Sequence, residues 1–179
     1  MRDTFRFGAS PFCVVDIETT GFSTEYNEIT EIAAIRVDGD FSVVEEFSSL
    51  VRISGAVPWQ ITRLTGITGR MLHAQGRPLD AVLREVHAFL GGNVMFAHNA
   101  GFDRRFLDEG ARRSALGFRF PLECSIPVFK GMLPGRQKYG LPVLAEALRV
   151  SGGGEHRALG DCRVLLECLK RACSAVPFQ

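Results

Sequence analysis

Lysine is scarce in this chain: of its 21 basic residues only Lys130, Lys138 and Lys170 are lysines, and the remainder are arginines. That imbalance suits phosphate recognition, since a guanidinium meets phosphate oxygens through a planar fork, and it is equally what a biased genomic base composition produces. Net charge is nearly absent as well. At +1, composition alone does not announce a nucleic-acid binder. No apolar run approaches the length needed to span a bilayer, and the opening MRDTFRFGAS lacks the apolar centre of a secretory leader. The expectation is therefore a soluble, unprocessed cytoplasmic protein with no membrane partner. The five cysteines, Cys13, Cys124, Cys162, Cys168 and Cys173, are odd in number and form no CxxC pair. They read as reduced, mostly buried thiols.

What is present fits one sizeable domain, residues 1–179, because 46% hydrophobic content over this length fills an ordinary core and no internal repeat or interdomain linker is visible. The near-neutral total hides a gradient. Between residues 16 and 46 nine acidic side chains face the single Arg36, whereas between 104 and 149 nine basic residues face four acidic ones. An acidic centre beside a basic region suits a site that holds cations and a polyanion together, and an unevenly charged solvated surface has the same composition.

The pattern predicts an α/β domain with a mixed sheet. Residues 12–17 read as a buried strand, 19–21 as a turn, and 29–37 as a β-branched strand that turns at Asp38-Gly39 into a returning strand over 41–51. Short helical pieces follow at 58–64 and 68–74, with Thr68 as a cap. Over 78–90 the residues Leu79, Val82, Leu83, Val86, Phe89 and Leu90 recur at helical spacing, Pro78 suits the first turn and Gly91-Gly92 ends the helix. A strand over 94–97 leads to a helix over 100–110 that Asn99 is placed to cap. A strand around 118–124, a helix near 125–132, an exposed basic loop over 133–140 and a helix over 141–150 come next. Ser151 to Gly154 then forms a flexible joint before the last helix, 157–173.

Four carboxylates stand where apolar side chains are expected. The run FCVVDI reads as a strand buried on both faces, yet it carries Asp16 and, two residues on, Glu18. Side chains at i and i+2 leave a strand on one face, so these two project side by side, about 6 to 7 Å apart at the backbone. Anions so placed repel each other and lose hydration, and a divalent metal resolves both problems. In the last helix Asp161 lies three residues after Ala158 and four before Leu165, inside the apolar stripe completed by Cys168 and Leu169. Asp103 falls in line with Phe106 and Leu107 by the same test. Taken singly, each carboxylate is open to a structural explanation, a local cap or an arginine such as Arg104 or Arg157. Together, with no evident inward cation, they point to a metal site, and an all-carboxylate ligand set selects Mg²⁺ or Mn²⁺ over Zn²⁺. His156, five residues before Asp161, is either an exposed loop histidine or a movable general base beside the metals.

The segments VVDIETTG, AHNAGFDRRFL and HRALGD resemble, in order, spacing and flanks, the three motifs of the DEDDh (DnaQ-like) 3′–5′ exonucleases. LTGIT at 64–68 and the segment 124–128 resemble stretches usual in the proofreading branch, the one typified by DNA polymerase III epsilon. The resemblance implies a ribonuclease H-like fold: a mixed central sheet with a three-stranded antiparallel start, then parallel strands, flanked by helices. It implies that Asp16, Glu18, Asp103 and Asp161 hold two divalent ions, Mg²⁺ or Mn²⁺, and that His156 activates the attacking water. Thr19, Thr20, Gly21 and Phe22 are expected to receive the terminal nucleotide, with Phe22 stacking on the last base, while His98, Asn99 and Phe102 of the second motif shape the site. The expected activity is release of nucleoside 5′-monophosphates from 3′ ends of single-stranded or frayed DNA, in proofreading or repair. An exoribonuclease, a non-catalytic nucleic-acid-binding module and a polymerase-partner module on the same fold are the alternatives. A DNA polymerase is a candidate partner, although the chain stops at Gln179, soon after the last motif, which leaves no long tail for docking one. Oligomeric state is open.

Overall fold

The computed structural model of the protein describes residues 10–152 and 156–175. Gly153 and Gly154, two members of the expected joint, lie outside the described residues. The near-continuous apolar runs become the two strands that must be covered on both faces. These are β1 (Phe12–Thr19) and β2 (Ile29–Val37), which pair antiparallel at the heart of a five-stranded sheet. Antiparallel to β2 lies β3 (Val43–Leu50), an edge strand whose outer residues, Val43 to Glu46, are exposed. On the other side of β1 come β4 (Val94–Ala97) and β5 (Leu122–Cys124), both parallel, giving the order β3-β2-β1-β4-β5. This is the mixed sheet of a ribonuclease H-like fold, with the expected antiparallel start and parallel continuation.

Alternation along β1 sorts its side chains between two cores. Cys13, Val15 and Ile17 pack with α3 (Leu79–Leu90) and α4 (Gly101–Arg113), through Val82, Leu83 and Val86 of the first and Phe106 and Leu107 of the second. Phe12 and Val14 face α5 (Ser125–Met132), α6 (Leu141–Ala147) and α7 (Ala158–Ala175), meeting Phe129, Leu144, Cys162, Leu165 and Leu169. Each of these large side chains contributes about 1.5–3 kcal/mol on burial. Two short helices, α1 (Trp59–Thr65) and α2 (Gly69–Gln75), bridge β3 to α3, and Thr68 does cap the second, its Oγ1 accepting the Met71 N–H at 3.2 Å. Among the described residues no helix is long and apolar enough to cross a membrane. Cys13, Cys162 and Cys168 are buried, and all five cysteines are free thiols.

The turn after β2 is wider than Asp38-Gly39 predicts. Asp38 N–H donates to the Ser42 carbonyl at 3.1 Å, Asp38 Oδ1 accepts the Ser42 N–H at 2.9 Å, and the left-handed residue is Phe41 at φ 68°. Its ring meets Phe12 edge to face at 5.5 Å, so core packing holds a conformation that local sequence disfavours. Similarly, the strand expected over 118–124 shrinks to three residues because Phe118 and Phe120 turn toward His87, with Phe118 stacked on it at 3.9 Å. The helix expected to run to Val150 stops at Ala147.

Candidate active site

Parity places Asp16 and Glu18 on the α7 face, beyond Phe12 and Val14, where the sheet gives way to solvent. The first turn of α7 ends over the same spot, and its inward residue there is Asp161. One carboxylate oxygen from each of Asp16, Glu18 and Asp161 lies within 4.8 Å of the others. Asp103 reaches the same cleft from the opposite layer, in the first turn of α4, and is not part of that close trio. Four inward carboxylates therefore resolve into three that converge and a fourth beside them.

The arginines that offered a structural explanation are committed elsewhere. Arg104 donates to the Leu122 carbonyl, and Arg157 forms a two-pronged pair with Glu31 at 2.5 and 3.0 Å. Among the described residues no arginine or lysine forms a salt bridge with Asp16, Glu18, Asp103 or Asp161. Electrostatics record the consequence. Burial, reinforced by Asp103, Glu18 and Asp161, pushes the Asp16 carboxyl well above the usual carboxylate range. Glu18 is pushed up to about 8, by burial first and then by Asp161 and Glu31, with Arg157 opposing. Asp103 is raised to about 7 by burial, against backbone hydrogen bonds that favour its ionised form, and Asp161 is raised by burial against the charge of His156. Raised carboxylates with no salt-bridge partner among the described residues form a site short of positive charge. The donor set is all carboxylate oxygen, compact and tuned to exchange protons for a hard divalent cation, so these residues fit such an ion.

A cleft of about 760 Å³ opens from the trio and is lined by Phe22, His98, Asn99, Phe102 and Arg105 as well as the four carboxylates. Phe22, 85% exposed, meets Phe102 edge to face at 6.3 Å, and Phe102 rests on Phe106 at 5.0 Å, so an exposed ring stands on a chain of rings leading into the core. Thr19, Thr20 and Gly21 do not line this cleft. The Thr19 hydroxyl donates to the Gly21 carbonyl at 2.6 Å, and Thr20 Oγ1 accepts the Glu28 N–H at 3.0 Å. A Cβ at Gly21 would lie 2.7 Å from the Asn27 side-chain amide, so a larger residue here would displace that amide from the Ser23 N–H that it accepts at 3.0 Å. These three residues build the loop that presents Phe22. Asn99 is not a helix cap either: α4 starts from Ala100 without a side-chain cap, and Asn99 takes a left-handed φ of 62°, the kind of residue that tolerates it. His98, at the end of β4, is held through Nδ1 to Ser125 Oγ at 3.0 Å, and burial keeps its pKa below the ordinary imidazole value.

On the other side of Asp16 and Asp161 a second groove of about 550 Å³ runs between α6 and α7, walled by Leu141, Pro142, Ala145 and Val164. The exposed His156 lines it, together with Asp16 and Asp161, so the histidine shares a solvent space with the carboxylates.

Three residues of this neighbourhood, Glu31, Arg105 and Ser125, escaped sequence reasoning. For Glu31 the signal was available: it interrupts the apolar run ITEIAAIRV as Asp16 interrupts FCVVDI, and it is 1% exposed. Arg105 and Ser125 carry no such signal, since an arginine on an amphipathic helix and a serine at a helix start are ordinary.

Residues 13–169 match the RNase T exonuclease family. The chain is 36% identical over 168 residues to the DNA polymerase III epsilon subunit of Aquifex aeolicus, covering 93% of this chain and 81% of that one. It is 35% identical over 159 residues to the PolC-type DNA polymerase III of Clostridium perfringens, of which it spans only 11%. Among solved structures, exonuclease X in complex with 5′ overhanging duplex DNA superposes with a TM-score of 0.72 at 26% identity, over 94% of each chain.

Proposed function

We propose, for a chain that belongs to the RNase T exonuclease family and carries an exonuclease domain on a ribonuclease H-like sheet, that it removes nucleoside 5′-monophosphates from the 3′ ends of single-stranded or frayed DNA. The observation that carries this reading is the convergence of Asp16, Glu18 and Asp161 within 4.8 Å at a cleft lined by the exposed Phe22 and the half-buried Phe102 behind it.

In this reading the scissile phosphate lies over the carboxylates, with the terminal nucleoside in the larger cleft. Phe22 offers its exposed face to the last base, Phe102 backs it, and Arg105 adds positive charge where the phosphates enter. Asp16, Glu18 and Asp161, joined by Asp103, would hold two divalent ions, Mg²⁺ or Mn²⁺, which would supply charge to offset that developing on the phosphoryl oxygens and on the leaving oxygen. From the adjoining groove His156 takes a proton from water as the water oxygen attacks phosphorus. The bond from phosphorus to the 3′ oxygen breaks, and the leaving oxygen gains a proton from solvent. Work on a polymerase's mistakes is supported by the epsilon and PolC relatives, with a DNA polymerase as the partner.

A 5′-labelled oligonucleotide with added Mn²⁺ is expected to give a descending ladder, EDTA to stop it, and a bulky 3′ block to prevent it. Early release of the 5′ label as a mononucleotide would refute the polarity, and faster digestion of matched RNA would move the substrate to RNA. Phe22→Ala is expected to raise KM about 10-fold with kcat little changed, since stacking on one base is worth about 1–3 kcal/mol. Steady-state kinetics on single-stranded DNA decide it, and an unchanged KM removes Phe22 from the substrate site.

A further inference from the structure

The residues before Ala158 are His156 and Arg157, neither of which is a Ser, Thr, Asp or Asn that would accept the first free N–H groups. The acceptor comes instead from β2: Glu31 Oε2 takes the Ala158 N–H at 3.0 Å, across 127 positions of sequence. The same carboxylate holds the Arg157 guanidinium with both oxygens, at 2.5 and 3.0 Å, and is 1% exposed. An anion at this end also complements the helix dipole.

The register makes this arrangement demanding. Glu31 stands directly opposite Glu18 in the β1–β2 pair, on the same face. Like charges so placed repel, and a buried carboxylate without a partner is strongly unfavourable. Arg157 answers Glu31, and Glu31 in turn keeps Arg157 engaged beside the carboxylates that must stay open. His156 is thus joined on one side to a residue clamped by the sheet.

We propose that Glu31 is a positioning residue for hydrolysis: by gripping Arg157 and the Ala158 N–H it sets where His156 stands over the groove that it shares with Asp16 and Asp161. The inference rests on the exonuclease reading and deepens it. Glu31 acts through Arg157, the residue that follows the base.

Glu31→Gln preserves shape and an acceptor for the Ala158 N–H but loses the charged grip on Arg157. In single-stranded DNA digestion with saturating Mn²⁺, kcat is expected to fall about 10- to 100-fold, with KM and the Mn²⁺ half-saturation point within about three-fold of wild type. In a His156→Ala background the same change is expected to alter the residual rate by less than about three-fold, because a positioned group that is missing cannot be mispositioned. Arg157→Ala, which leaves Glu31 on the helix end, is expected to repeat the pattern and serves if Glu31→Gln does not fold. Equal losses with and without His156, an unchanged kcat in both variants, or a loss recovered by raising Mn²⁺ would each overturn the positioning role while leaving the exonuclease reading intact. A wild-type protein that digests nothing in Mn²⁺ would overturn that reading, and this inference with it.

Discussion

Asp16→Asn is expected to abolish hydrolysis and yet, in EDTA at pH 8, to melt at or above the wild-type temperature. Asp16, Glu18, Asp103 and Asp161 are all held above the carboxylate range by burial, reinforced at Asp16 by Asp103, Glu18 and Asp161 and at Glu18 by Asp161 and Glu31. Removing one ionisable member relieves the rest. The pH dependence follows in sign. Groups whose folded-state pKa is raised leave stability intact below the carboxylate range and withdraw it as pH rises through the folded values, about 7 for Asp103 and about 8 for Glu18. The metal-free wild type should therefore lose melting temperature from about pH 4 to about pH 8, the variant less, and the two should converge at the acid end. Metal reverses the order. Binding stabilises the wild type by about 2.7 kcal/mol at one hundred times Kd, should strengthen as pH rises and the ligands lose protons, and should stabilise the variant far less. Thermal melts in EDTA across pH, followed by Mn²⁺ titration, check every part. A variant that melts several degrees lower in EDTA at pH 8 would make Asp16 a structural acceptor, and equal metal shifts in both proteins would place the ion elsewhere.

The second large effect falls on turnover alone. His156→Ala is expected to lower kcat by about 10²- to 10⁴-fold, the usual contribution of a general base, while Mn²⁺ still raises the melting temperature nearly as in the wild type. The separation follows from placement: His156 is exposed in the groove between α6 and α7, whereas the converging trio is Asp16, Glu18 and Asp161. Parallel measurements of kcat and of the Mn²⁺-induced melting shift test the division of labour. A metal defect as large as that of Asp16→Asn would make His156 a ligand, and unchanged turnover would remove it from the reaction.

The two experiments probe opposite faces of one economy in the fold. Carboxylates expected to destabilise the metal-free protein are held in a closely packed sheet: β1 and β2 are buried along almost their whole length, and Phe12, Val14, Ile32 and Ile35 are inaccessible to solvent. Strain at the mouth can then be carried by packing below it.

By itself the sequence determined the sheet's centre, the two-layer covering and the identity of the acidic residues, because those rest on local periodicity. A carboxylate inside an apolar run is visible wherever the run is, as at Asp16, and a helical stripe reports inward direction, as at Asp103 and Asp161. Tertiary structure alone decided which carboxylates meet. Asp103 and Asp161 have the same sequence signature, yet only Asp161 joins Asp16 and Glu18, because α7 packs on the face toward which those strand residues point and α4 packs on the other. Cross-strand register likewise set Glu31 opposite Glu18 and brought Arg157 to it from 126 positions away. No local pattern encodes a register or a long-range ion pair, since both follow from how whole elements dock once their apolar faces are buried.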